Sequence, residues 1–214
     1  MADKTFDKYQ KRGAYHWAWY RRDTYGYRSR VDMVLSHLPG SGTALDIGGG
    51  DGLIAFQMFR RGLDVTCIDT NEFAISLGRR AAEYRIYGPG LLRHPRRLLA
   101  RAGVGRTGLM RRYEAGELRL EVRSFEDIQP GEMYDVVVCH EVIEHIPEPQ
   151  RLLETIHASM RQFAIISTPD VTNRPPHPLD YVTWTPDTFA EFLAGYRYEF
   201  ILQDGWDMYV KLYK

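Results

Sequence analysis

A chain of 214 residues has room for one compact domain with a full apolar core, and 44% hydrophobic and 26% charged residues exclude global disorder. The 28 basic and 28 acidic side chains cancel, yet unevenly: residues 1–120 hold 21 Lys/Arg against 12 Asp/Glu, and residues 121–214 hold 7 against 16. Such a split suits either a basic wall facing an anionic ligand or an ordinary mixed surface. The longest apolar stretches, such as Val136-Val137-Val138-Cys139, are strand-length, and Met1-Ala2-Asp3-Lys4 is charged with no apolar core behind it. The expectation is a soluble, cytoplasmic chain without a membrane span. Cys67 and Cys139 each sit in an apolar strand-like run, which predicts buried thiols and is too few cysteines for a zinc knuckle.

In chain order, residues 1–40 are predicted to form a helical cap, aromatic and basic through Tyr15-His16-Trp17-Ala18-Trp19-Tyr20 and amphipathic from Tyr27 to Leu38. Thr43 to Ile47 reads as a strand, Gly48 to Gly52 as a tight turn and Leu53 to Arg61 as a helix. A second strand, Asp64 to Ile68, ends at Asp69, and a helix follows from Glu72 through Tyr84. Residues 85–119 carry nine Arg against two Glu where a short connection would suffice, so 85–117 is read as an arginine-rich insertion or lid. Strands are predicted at Leu118 to Val122, Tyr134 to Cys139 and Phe163 to Ser167, with a helix from Pro149 to Met160. A last helix starts near Thr185-Pro186-Asp187, where Thr can cap and Pro can occupy the first turn, and ends by Gly195. Tyr198 to Gln203 and Asp207 to Leu212 have no helix between them and should pair as an antiparallel hairpin at the sheet edge. The predicted architecture is a single α/β domain: a doubly wound, mostly parallel Rossmann-like sheet of about seven strands.

The loop Asp46-Ile47-Gly48-Gly49-Gly50-Asp51-Gly52 follows a strand and opens a helix. A dinucleotide fingerprint, as in a nicotinamide dehydrogenase, would need Gly at position 53, where the chain has Leu53. The spacing instead reads Asp-x-Gly-x-Gly-x-Gly, a pattern of S-adenosylmethionine binding. On these residues and the order of elements over about 40–200, the chain resembles the class I S-adenosylmethionine-dependent methyltransferases. The resemblance implies that Asp46, Gly48 and Gly50 serve the methionine part of S-adenosyl-L-methionine. Asp69, with Thr70 beside it, matches the acid that accepts hydrogen bonds from the ribose hydroxyls. Ser124 and Phe125 match the adenine segment, and His140 ends the fourth strand, which faces the reactive methyl group.

Past that strand runs His140-Glu141-Val142-Ile143-Glu144-His145-Ile146-Pro147. If 141–145 make one helical turn, Glu141, Glu144 and His145 share a face. This Glu-x-x-Glu-His set is similar to two methyltransferase branches. One is the ubiquinone-type O-methyltransferases; the other is the small-RNA 3′-terminal 2′-O-methyltransferases, in which two Glu and two His hold a divalent ion. The second resemblance implies a Mg²⁺ or Mn²⁺ site at Glu141, Glu144, His145 and His177 and an RNA substrate. The competing reading makes His145 a metal-free base, with Glu144 and Glu141 lining the acceptor site. The expected activity is O-methylation of a hydroxyl on a small-molecule or glycan-type acceptor, anionic to suit the arginines; a non-catalytic cofactor-binding partner subunit is the alternative from another class. Gly13-Ala14-Tyr15-His16-Trp17 resembles a cap segment that folds over the cofactor in many bacterial methyltransferases, and equally fits an amphipathic helix using its aromatics as core.

Overall fold

A computed structural model describes residues 8–87, 111–113, 116–173, 175–203 and 206–214. Most of the arginine-rich insertion, 88–110 with 114 and 115, therefore lies outside the described residues. Seven strands form one sheet: β1 (Gly42–Ile47), β2 (Leu63–Asp69), β3 (Leu118–Val122), β4 (Tyr134–His140), β5 (Met160–Pro169), β6 (Arg197–Gln203) and β7 (Asp207–Tyr213), in the order β3-β2-β1-β4-β5-β7-β6. The first five are parallel, and β7 runs antiparallel to both β5 and β6. The hairpin expected at the edge does form, but β7 takes the inner place beside β5 and β6 becomes the edge. Burial explains this: Met208, Tyr209, Val210 and Leu212 of β7 are wholly enclosed, whereas Phe200 and Tyr198 of β6 are half-buried.

Among the described residues the helices that pack on the sheet and cap it are α1 (Lys8–Arg12), α2 (Tyr15–Arg22), α3 (Tyr27–Ser36), α4 (Leu53–Arg61), α5 (Glu72–Tyr87), α6 (Pro149–Ser159) and α7 (Pro186–Phe192). Strand residues alternate between two cores, as the period-2 geometry of a strand requires. Ala44, Val65, Val136, Val138 and Ile165 face the core shared with α2 to α4, while Leu45, Ile47, Val137, Ile166 and Val210 face the core shared with α6 and α7. Cys67 belongs to the first core and Cys139 to the second, so both are buried free thiols on opposite faces of the sheet. Thr185 caps α7 with a reciprocal capping box and Pro186 fills its first turn, as the sequence indicates; the helix stops at Phe192, three residues before Gly195. Among the described residues no helix is long and apolar enough to cross a membrane. Arg112, from the insertion's far end, is tied to the fold: it pairs with Glu117 at 2.5 Å and donates to the carbonyls of Phe59 (2.8 Å) and Leu63 (2.9 Å).

Candidate active site

The strand order reverses between β1 and β4, and a sheet of this kind opens a crevice outside its carboxyl ends at such a point. A cavity of about 1200 Å³ lies there, walled by the glycine loop, the ends of β2, β4 and β5, the cap helices and the loop 175–181. Single-ligand pockets occupy about 300–1,000 Å³, so this one has room for two reactants.

On the β1–β3 side the wall is built from backbone. Gly48 and Gly49 donate their amides to the Ile68 carbonyl (2.8 and 3.2 Å), and Gly50 donates to Asp69 Oδ2 at 2.8 Å. Asp69 Oδ1 accepts the Asn71 amide at 2.7 Å. Gly48 has φ +67°, and a Cβ there would stand 2.5 Å from the Val142 side chain, so only glycine fits between the loop and the β4 end. Burial raises the pKa of Asp69 and pushes that of Asp46, 1% exposed, up to about 7. Thr70, Ser124 and Phe125 also line the cavity. Ser124 begins a 3-10 turn, Phe125–Asp127, by accepting the Glu126 amide, while Asp127 accepts the Ser124 amide and Glu126 pairs with Arg151 at 3.0 Å. Those two acids are committed to the turn and to the surface.

On the β4–β5 side the wall is built from side chains. Residues 141–145 do not make one helical turn: Glu141 has φ +55°, in the left-handed region, and a 3-10 turn begins only at Ile143. The shared face expected for Glu141, Glu144 and His145 is thus broken, because the chain must turn at Glu141 to leave β4. The Glu141 amide donates to Ser167 Oγ (3.1 Å), and that hydroxyl lies 2.7 Å from His140 Nδ1 and 3.2 Å from Glu141 Oε1. His140 stacks on Tyr209, and burial lowers its pKa to about 3. Glu144 is 2% exposed and accepts from the Thr168 hydroxyl at 3.3 Å; burial, with the Glu141 charge, pushes its pKa well above the carboxylate range. His145 Nδ1 stands 3.2 Å from Asp180 Oδ1 and its Nε2 3.7 Å from Glu144 Oε1. Burial lowers the His145 pKa to about 4, so its ring is neutral at pH 7. The His177 ring sits edge-on to His145 at 6.5 Å, with its Nδ1 accepting the Leu179 amide.

The cap forms part of the cavity wall. Asp51, wholly buried in the glycine loop, accepts the His16 backbone amide (3.1 Å) and lies 3.1 Å from its Nδ1, while Trp17 Nε1 donates to the Asp51 carbonyl at 2.7 Å. Arg30 of α3 reaches across to Asp207 at 2.9 Å.

Comparison with known proteins decides the family. A methyltransferase-domain model matches residues 18–195. The chain belongs to the class I S-adenosylmethionine-dependent methyltransferases. It is 30% identical over 110 residues to the ubiquinone biosynthesis O-methyltransferase of Acinetobacter baumannii (strain ACICU), a match covering 51% of this chain and 35% of that protein. The chain therefore spans about a third of the length of that curated relative. Its fold is similar to magnesium protoporphyrin IX methyltransferase of Synechocystis PCC 6803 with S-adenosylhomocysteine bound (TM-score 0.60, 15% identity, 88% of this chain and 84% of that one). It also resembles a chain of the Pnkp1/Rnl/Hen1 RNA repair complex (TM-score 0.58, 20% identity, 88% of this chain and 41% of that one). At these identities the two solved structures establish likeness of fold.

In this methyltransferase, Asp46, Gly48, Asp69, Thr70, Ser124, Phe125, His140, Glu141, Glu144, His145 and His177 all line one cavity. Gly50 does not line it; its amide is spent on Asp69, and a Cβ there would stand 2.0 Å from the Tyr9 hydroxyl. The residues singled out as metal ligands do not converge: among the described residues no group of three His, Cys, Asp or Glu side chains is placed to hold a metal ion. Sequence reasoning missed Asp51, His16 and Asp180. An aspartate between two glycines, and a histidine inside an aromatic run, were the available signals for the first two. Asp180 heads the run Asp180-Tyr181-Val182-Thr183-Trp184-Thr185, which is similar to the RNA-directed branch, but nothing there tied it to His145, 35 residues away.

Proposed function

We propose that this methyltransferase moves the methyl group of S-adenosylmethionine to a hydroxyl oxygen of a small-molecule acceptor, with His145 as the base. The observation that carries this reading is a single cavity with a buried carboxylate and glycine wall on one side and a neutral imidazole on the other. The buried residues fit the cofactor: Asp46 is held in a site that favours a neutral acid until a cationic partner arrives, and the Gly48 cradle leaves no space for a side chain. Asp46 and Gly48 would hold the methionine end, with Gly50 bracing Asp69 from behind; Asp69 and Thr70 would hold the ribose, Ser124 and Phe125 the base, and His140 would line the reactive end.

When bound, the cofactor supplies a methyl group already activated by its sulfonium. The protein's part is to place the acceptor oxygen in line and remove its proton, which a well-placed base accelerates by about 10²–10⁴-fold. The acceptor wall offers Glu141, Glu144 and His145 from the polar side and Ile146, Pro178 and Leu179 from the apolar side. Arg30 lines the cavity while paired with Asp207, and the arginine excess of residues 1–120 supports an anionic acceptor, glycan-type ones included. The name of the Acinetobacter relative supports oxygen as the methylated atom. Two buried free thiols suit the reducing cytoplasm. A Mg²⁺- or Mn²⁺-dependent transfer to an RNA terminal ribose has less support. Among the described residues no three of these side chains are placed around one point, and His177 Nδ1 accepts the Leu179 amide, which keeps that ring's proton on Nε2, so this set does not fit a shared ion.

The test is transfer of labelled methyl from S-adenosylmethionine to a panel of phenolic, sugar and hydroxy-acid acceptors. Wild type should methylate an acceptor on oxygen, and His145→Ala should lower kcat by about 100-fold or more. Transfer to any acceptor removes the non-catalytic subunit reading; equal kcat in the variant removes His145 as base.

A further inference from the structure

We propose that Asp180 is the positioning residue that fixes the tautomer of His145, making the two a carboxylate–imidazole pair; the inference rests on the reading of His145 as base. Asp180 comes from a separate loop, and its side chain is 3% exposed. Its two oxygens have different surroundings: Oδ2 accepts the His177 backbone amide at 2.8 Å, and Oδ1 stands 3.2 Å from His145 Nδ1, within ion-pair distance though not aligned as a hydrogen bond.

The two segments are locked to one another by backbone. Tyr181 and Val182 both donate amides to the Glu144 carbonyl, at 2.8 and 3.2 Å, one residue before His145, and the His145 amide donates to the Val142 carbonyl at 2.9 Å. The Asp180 amide itself donates to the His177 carbonyl at 2.9 Å. Neither partner can drift without breaking main-chain bonds, which is what a preorganised pair requires. Rotation of the imidazole ring brings Nδ1 into line with Oδ1, and because a carboxylate oxygen can only accept, that bond holds the proton on Nδ1 and puts the lone pair on Nε2.

The chemical consequence follows. As the acceptor oxygen forms its bond to the methyl carbon, its proton passes to His145 Nε2 and the electrons of the breaking carbon–sulfur bond stay with sulfur. The resulting imidazolium keeps its Nδ1 proton on Asp180, whose negative charge stabilises it, and later gives the Nε2 proton to water. An imidazole of the other tautomer, with Nε2 protonated, cannot take that proton.

Asp180→Asn tests this with a built-in direction. The His177 amide is an obligate donor, so the Asn oxygen must serve it, which turns the Asn NH₂ towards His145 Nδ1 and forces the proton to Nε2. In protein labelled with ¹⁵N-histidine, and with His145→Gln used to assign the signal, wild type should show a protonated Nδ1 and a bare Nε2. Asp180→Asn should show the reverse. With an acceptor found in the panel, kcat should fall by about 10²–10⁴-fold while KM and S-adenosylhomocysteine affinity stay near wild type. Asp180→Glu, which restores an acceptor-only group, should recover part of kcat. Unchanged ring nitrogens in Asp180→Asn would overturn the proposal, as would a loss that Asp180→Glu fails to recover while both variants bind S-adenosylhomocysteine normally. A reversed tautomer with unchanged kcat would keep the hold of Asp180 on His145 and instead overturn His145 as the base.

Discussion

The two halves of the cavity are made from different material. On the β1–β3 side, contiguous segments present main-chain amides and carboxylates: the Gly48–Gly50 loop rests on the Ile68 carbonyl and on Asp69, with every polar partner within one strand end of the next. On the β4–β5 side, the contacts are between side chains from five places in the chain: His140 with Ser167, Glu144 with Thr168, His145 with Asp180, and Arg30 with Asp207. A site written in backbone geometry tolerates few residue types and binds one ligand well. A site written in paired side chains can be rebuilt by local substitutions, and this is where methyl acceptors would be discriminated.

That contrast breaks if the buried carboxylates of the first half are merely structural. Asp46 is the largest test. Its folded pKa of about 7 exceeds the ordinary 3.8 because burial penalises the charge. Between about pH 4 and pH 7 the folded state therefore holds a proton that the unfolded state has lost, and wild-type stability falls as pH rises through that window, levelling above it. Asp46→Asn has no such term. Urea unfolding should show the variant gaining on wild type by up to about 1.4 kcal/mol per pH unit across the window, while losing affinity for S-adenosylhomocysteine. Parallel stability curves would show that Asp46 bears no such penalty.

A smaller effect sharpens the role of the cap. Asp51, which also lines the cavity, ties α2 to the glycine loop through the His16 amide and ring. Asp51→Asn keeps one acceptor and loses the other, at about 1–3 kcal/mol for the buried group left unsatisfied. Faster proteolysis ahead of Tyr27, with the sheet still folding cooperatively, is the expected outcome; an unchanged digestion pattern would mean that the cap is held by its aromatics alone.

The same division explains what the sequence disclosed. The strand–glycine loop–helix unit, Asp69 and the Ser124 turn are local in sequence, so spacing and a family likeness located them together. The alternation of strands and helices likewise reads from period and capping, down to Thr185-Pro186 at α7. The turn at Glu141 was misread because a helical spacing is silent about a left-handed residue at its start. The inner position of β7 depends on the relative burial of two strands, which neither strand's pattern states alone. The pairs His16–Asp51 and His145–Asp180 join residues 35 apart in both cases, and no local signal connects them.

The central claim is that one cavity divides into a cofactor half and an acceptor half, and calorimetric titration with S-adenosylhomocysteine tests it most directly. Wild type should bind one equivalent; Asp69→Ala, which frees the Gly50 and Asn71 amides and removes the ribose acceptor, should weaken binding by about 100-fold. His145→Ala should bind like wild type. Equal losses in the two variants, or no binding by wild type, would contradict the division.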